Sequence, residues 1–315
     1  MKLSQLVSEY IAFKHALGVR FQTEARILKA FSRAMGDVES IEVEPSAVHA
    51  FLAGKGVVTG FWYEKFGVLA RFYRFLMIRN YVDSIPLLKT MPKRPEPMKP
   101  YIYTLEELRR LLAATDRLQS PWSPLRAHTF HTLILTLYST GLRIGEALSL
   151  TLADVNLLES LIMVRSGKFF KTRLVPIGPQ LTETLRSYVQ RRRKLPCPQG
   201  EDSAFFATRS GNALTYDQAR KVFPILRKLA GIYREKEARY QPRVHDIRHT
   251  MAVHRLVAWY REGADVQRLL PLLSTYLGHL DIAGTQRYLS FIPELRDEAC
   301  RRFEHYALRE VEDED

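Results

Sequence analysis

Cysteine is scarce: the 315 residues contain only Cys197 and Cys300. Two thiols so far apart in the chain make no disulfide framework, so a reducing cytoplasm is the expected compartment. Long apolar runs are missing too. The richest, Thr129 to Tyr138, is interrupted by His131 and falls well short of the ~18 residues a membrane helix needs. The opening residues, MKLSQLVSEYIAF, read as an amphipathic helix and lack a signal-peptide core. Glycine and proline number 16 each, too few for collagen or low-complexity classes. Acidic residues are outnumbered, 34 against 47 Lys and Arg, for a formal charge of +13. That excess points to a polyanionic partner, most simply nucleic acid, and says nothing about fold. Apolar residues are plentiful at 46%, enough for a sizeable core. The length suggests two domains, at roughly 150 residues each.

The clearest break is MPKRPEPMKP, residues 91–100. Pro92, Pro95, Pro97 and Pro100 exclude regular helix and central strand, and the basic residues keep the segment solvated. It reads as a linker between a domain over 1–90 and another over 101–315. The first reads as helical throughout. Leu3, Leu6, Val7, Tyr10, Ile11 and Leu17 recur at three- and four-residue steps, and Gly18 ends that run. Phe21 to Met35 gives a second helix, Pro45 opens a third, and Phe61 to Asn80 a fourth, dense in aromatics. Rings at helical spacing read as core. The interleaved Lys65, Arg71, Arg74 and Arg79 are candidate phosphate contacts. In the second domain, Thr104 and Glu107 form a capping box. Helical patterns follow to about Asp116, over Leu125–Ser139, Ile144–Leu150, Leu181–Arg193 and Tyr216–Ala230, and from His245 onward. Leu161–Val164 and Leu174–Ile177 are β-type runs around a hairpin. The expected fold is therefore mainly α with a small antiparallel β-hairpin or sheet: an all-helical N-terminal domain and a mixed α+β second domain.

Three segments carry residues with chemical potential. In Ser139-Thr-Gly-Leu-Arg143-Ile-Gly-Glu146, an arginine sits at a helix junction. Its charge needs a partner if buried, and Glu146 three residues on supplies the simplest one. In His245-Asp-Ile-Arg248-His249, spacings of three and four put His245, Arg248 and His249 on one helix face, suited to a phosphate oxyanion. The same pair of histidines imitates a zinc motif, but Asp246 stands where that motif has glutamate and Arg248 would bring a cation to the metal. Two solvated histidines are the plain alternative. In Tyr276-Leu-Gly-His279 … Tyr288, each ring taken singly reads as structural.

Taken in order, Arg143, a hairpin lysine, His245-x-x-Arg248, Leu277-Gly-His279 and Tyr288 resemble the tyrosine recombinase (phage integrase) family. The resemblance covers roughly 101–306 and, less specifically, the N-terminal helices, which look like the family's core-binding domain. It implies a catalytic domain of tyrosine recombinase type and a two-domain clamp around duplex DNA. It also implies strand cutting and rejoining through a 3′-phosphotyrosyl intermediate, with no metal, ATP or other cofactor. Tyr288 matches the nucleophile, and Arg143, Arg248 and His279 match the donors to the phosphate oxygens. Lys168 matches the acid that protonates the leaving 5′ oxygen, with Lys171 as the alternative. His245 matches the partner that handles the tyrosine proton. Arg248 and His279 stand further apart than the family pattern, with the additional residues in 258–273. The implied partners are double-stranded DNA with inverted-repeat sites, further copies in a synaptic tetramer, and accessory DNA-bending or partner recombinase proteins. No membrane is involved, and the cytoplasmic nucleoid is the expected location. A helix from Pro293 would bring Leu295, Ala299 and Phe303 against a neighbouring protomer, or pack in cis. Integrase, transposase and resolvase roles, and a non-catalytic DNA-binding protein on the same fold, remain alternatives.

Overall fold

A computed structural model describes residues 1–288 apart from Asp37, Lys55, Pro97, 166–171, Arg209, 236–237, 239, 280 and 287. The chain divides into two compact units, Met1–Met98 and Lys99–Asp315. Among the described residues, no helix is long and apolar enough to cross a membrane.

The first unit is built from α1 (Leu3–Ala16), α2 (Gln22–Met35), α3 (Pro45–Ala53) and α4 (Gly60–Ile78). Pro45 at the first position of α3 costs no hydrogen bond, because that N–H would be unpaired in any case. Leu3, Leu6, Val7, Tyr10 and Ile11 form the buried face of α1. Tyr10 packs among Phe21, Phe72 and Phe75, with ring centroids 4.7–5.5 Å apart. Each such ring contributes about 1.5–3 kcal/mol when fully buried. The four interleaved cations differ in their surroundings. Arg71 and Arg74 are exposed. Lys65 donates to the carbonyls of Phe51 and Leu52 at the end of α3, where cations are favoured. Arg79 lies over the Phe75 ring at 3.9 Å.

The second unit contains α5 (Leu105–Ala114), α6 (Arg126–Thr140), α7 (Ile144–Leu148), β1 (Val155–Asn156), β2 (Leu161–Val164) and β3 (Arg173–Pro176). It continues with α8 (Pro179–Arg193), α9 (Tyr216–Leu229), α10 (Asp246–Arg261), α11 (Val266–Leu277) and α12 (Ala283–Gln286). The fold is thus mostly helical, and among the described residues there is one small sheet, ordered β1-β2-β3 and antiparallel throughout. Val164, the last residue of β2, pairs with Arg173, the first of β3, and Leu161 pairs with Pro176 at the other end. The short β1 pairing with β2 was not visible in the sequence. Thr104 and Glu107 cap α5 reciprocally, at 2.9 and 3.1 Å.

α6 is the central helix, buried on most of its circumference. Its threonines tolerate burial because Thr129, Thr136 and Thr140 each return their hydroxyl to the carbonyl four residues back. α6 ends at Gly141, in the left-handed region at φ +61°. A Cβ there would meet Leu277 Cδ2 at 2.6 Å and Met251 Cε at 2.7 Å. The glycine therefore lets the end of α6 touch both α10 and α11. α11 ends in the same way, at Gly278 with φ +67°. The Gly278 amide donates to Thr275 and the His279 amide to Ser274, the paired bonds of a Schellman cap. The additional residues between Arg248 and His279 are helical: they complete α10, turn at Gly263 and begin α11.

Candidate active site

Four separate pieces of chain meet where these helix ends converge. They are the turn from α6 into α7, the start of β3, the first turn of α10, and the chain from the end of α11 to Tyr288. Five of the six residues singled out from sequence, Arg143, His245, Arg248, His279 and Tyr288, lie on these pieces. The sixth, Lys168, and its alternative Lys171 lie outside the described residues, as do Leu295, Ala299 and Phe303.

Arg143 precedes α7 and is 31% exposed. Its Nη1 donates to Glu146 Oε1 at 2.8 Å, the partner expected from the spacing. Its Nη2 also donates to the Gly278 carbonyl at 3.0 Å, which the sequence did not suggest. Arg248, on the first turn of α10, is 3% exposed. It donates to the Gly141 and Leu277 carbonyls at the C-terminal ends of α6 and α11. Burial, and then Arg143 close by, pull its guanidinium down to about 10. Helix C-termini carry partial negative charge, so these two ends partly compensate a cation that would otherwise be costly to bury.

Glu146 holds the group together and is 9% exposed. Burial alone would raise its carboxyl. Hydrogen bonds from Arg173 and from the Arg143 backbone and side chain outweigh burial and hold it at about 2. Arg173 contributes two of those bonds, at 3.2 and 2.8 Å.

His245 stands at the N-cap position of α10 without a side-chain capping bond, and Asp246 accepts from the Arg243 amide and guanidinium at 2.9 and 3.0 Å. Asp246 is thus engaged in structure. The His245 and His249 rings meet edge to face at 4.9 Å, and among the described residues no three His, Cys, Asp or Glu side chains gather as metal ligands. The Tyr288 ring is 4% exposed, 5.5 Å from the His249 ring and 6.1 Å from the His279 ring. His279 Nδ1 is hydrogen-bonded to the buried Thr285 hydroxyl at 2.7 Å, which orients the ring. Burial lowers His245. Burial followed by His245 takes His249 to about 4, and burial followed by Arg248 and Arg143 takes His279 to about 4. All three are therefore neutral at pH 7. Burial raises the Tyr288 phenol, with Arg248 and Arg143 pulling the other way.

Sequence reasoning missed two residues here, Arg173 and Thr285. It placed His249 on the same helix face as His245 and Arg248 but did not foresee its ring beside Tyr288.

The Phage integrase family profile matches residues 102–292. The candidate integrase/recombinase y4rB of Sinorhizobium fredii is 35% identical over 304 residues, covering 95% of this chain and 96% of that protein. The tyrosine recombinase XerC of Bacillus subtilis is 28% identical over 235 residues, covering 74% and 70%. Among solved structures, the Tn1549 transposon integrase in complex with a circular intermediate DNA superposes with a TM-score of 0.69. It is 16% identical and covers 97% of this chain and 99% of its own. XerH bound to its palindromic difH substrate gives 0.63 at 21% identity, covering 89% and 77%. The chain belongs to the phage integrase family and is a tyrosine recombinase.

Proposed function

We propose that the protein cuts and rejoins duplex DNA at specific sites, with Tyr288 as nucleophile. The observation that carries this reading is the meeting of Tyr288 and His279 with Arg143 and Arg248, which come from two other, distant parts of the chain. The Tyr288 oxygen would attack a backbone phosphorus and the P–O5′ bond would break. A 3′-phosphotyrosyl ester and a 5′-hydroxyl result. The phenol proton goes to an imidazole, and the 5′ oxygen takes a proton from Lys168. A 5′-hydroxyl from another strand then reverses the step. The ester keeps the bond energy, so the cycle draws on no ATP, and the cationic side chains do at the phosphate what a metal would otherwise do.

The residue types suit that chemistry. Charge gathers on the equatorial oxygens of the transition state, and fixed cationic donors stabilise it more than they stabilise the substrate. Guanidinium forks match a phosphate where lysine offers only a point charge. A neutral histidine can take the tyrosine proton, the role proposed for His245. The phenol is held protonated by burial and needs such a base. His279, with Nδ1 bound to Thr285, can present Nε2 to a phosphate oxygen. Each arginine keeps N–H groups beyond those spent on carbonyls and Glu146, since a guanidinium carries five.

The palindromic substrate of XerH supports double-stranded DNA with inverted-repeat sites as the partner, and self-association into a synaptic tetramer belongs to the same proposal. We propose the first unit as the core-binding domain, with the exposed Arg71 and Arg74 as phosphate contacts. Accessory DNA-bending or partner recombinase proteins and a nucleoid location belong to the same proposal. The test is a duplex selected from a random pool by the purified protein and then nicked to trap the intermediate. Wild-type protein should form a covalent adduct, and Tyr288→Phe should bind equally well and form none. An adduct with Tyr288→Phe would overturn the assignment.

A further inference from the structure

Three consecutive carbonyls at the end of α11 each receive a guanidinium. Arg173 Nε donates to Tyr276 O at 3.2 Å, Arg248 Nη2 to Leu277 O at 2.7 Å, and Arg143 Nη2 to Gly278 O at 3.0 Å. Two of these arginines are the proposed phosphate donors. In the third, every nitrogen of the guanidinium is engaged within the protein. Nε is on the Tyr276 carbonyl, and Nη1 and Nη2 form a fork on the two oxygens of Glu146 at 3.2 and 2.8 Å. Arg173 is 15% exposed. Its fork is turned inward rather than toward a ligand.

Those two contacts define what it fixes. Glu146 Oε1 also accepts Arg143 Nη1 at 2.8 Å, and Oε2 accepts the Arg143 amide at 3.0 Å. The carboxylate is thus a bridge between two guanidiniums, and Arg173 holds its far side. The Tyr276 contact ties the same arginine to the turn that leads through Gly278 to His279. A Cβ on Gly278 would stand 2.7 Å from Arg173 Nη1 and 2.8 Å from Cζ, so the turn is built against this side chain. Arg173 also opens β3 opposite Val164, and Lys168 lies between them in sequence.

We propose that Arg173 is a positioning residue of the recombination site, aiming Arg143 through Glu146 and seating the His279 turn through the Tyr276 carbonyl. The proposal rests on the reading of Arg143 and His279 as phosphate donors. Removing the fork would leave Glu146 with Arg143 as its nearest cation. The carboxylate would then draw that guanidinium away from phosphate, and a donor misplaced by an ångström loses much of its effect.

The experiment measures single-turnover cleavage of the selected, nicked duplex at saturating protein, with binding measured separately. Wild type and Tyr288→Phe come first. No wild-type adduct, or an adduct with Tyr288→Phe, would be a failure of the site reading, independent of Arg173. With those controls met, Arg173→Gln should cleave about a hundredfold more slowly, the loss typical of one transition-state donor, while its DNA affinity stays within about threefold of wild type. Arg173→Lys keeps a cation beside Glu146 without the fork, and its rate should fall between the two. If Arg173→Gln does not fold, Arg173→Lys is read by the same criterion of slowed cleavage at retained binding. Cleavage by the folded variant close to the wild-type rate, or slowed only as far as binding is weakened, would overturn the proposal.

Discussion

A buried phenol whose proton is held more tightly than usual is a poor nucleophile until a base stands next to it. Tyr288 is in that position, and the His249 and His279 rings border it. The burial that keeps these imidazoles neutral has a consequence for stability. In the unfolded chain they take a proton near 6.5, and in the fold only near 4. Between those values the unfolded state binds more protons, so the folded state loses stability as pH falls from about 6.5 toward 4. Glu146, held at about 2 against 4.5 unfolded, adds a loss of the same sign below about 4.5. The melting temperature of the DNA-free protein should therefore drop between pH 7 and pH 5, and His249→Gln should reduce that drop. An equal drop in both proteins would show that His249 is not one of the groups responsible.

The site depends on how two helices stop. Gly141 and Gly278 both adopt left-handed backbone and both touch what they help to place. Gly18 provides a comparison: it has φ +73°, but a Cβ added there would meet nothing within 4 Å. Gly18→Ala should cost only the backbone penalty, about 1–2 kcal/mol. Gly278→Ala should cost more, because it also displaces the Arg173 guanidinium, and it should slow cleavage as well. Chemical denaturation of the two variants checks the first expectation and single-turnover cleavage the second. Equal destabilisation by the two would mean that the contact with Arg173 carries no energy.

What could be read from the sequence divides along the same line. The capping box at Thr104 and the buried stripe of α1 are local patterns, resolved within a few residues, and they were legible. The Arg143–Glu146 pair was legible for the same reason. Arg173 was not: its carboxylate partner lies 27 residues away and its carbonyl partner 103 away. In the sequence it is one more basic residue after a hairpin. Thr285 was equally hidden, because a hydroxyl that orients an imidazole has no pattern of its own. The segment around Pro271 looked like an insertion, and it forms most of the helix whose C-terminus gathers the three arginines.

For the whole molecule, the +13 charge should appear as salt-sensitive DNA binding. The logarithm of the binding constant should fall by about 0.9 per neutralised phosphate for each tenfold rise in salt. A flat response in a filter or fluorescence titration would mean that the basic excess does not face DNA. The more direct test concerns the covalent bond itself. The adduct trapped on nicked duplex would be digested with trypsin and nuclease and sequenced by mass spectrometry. The account predicts one modified peptide, with the nucleotide joined through its 3′-phosphate to Tyr288. A nucleotide on any other residue, or a link through a 5′-phosphate, would contradict it.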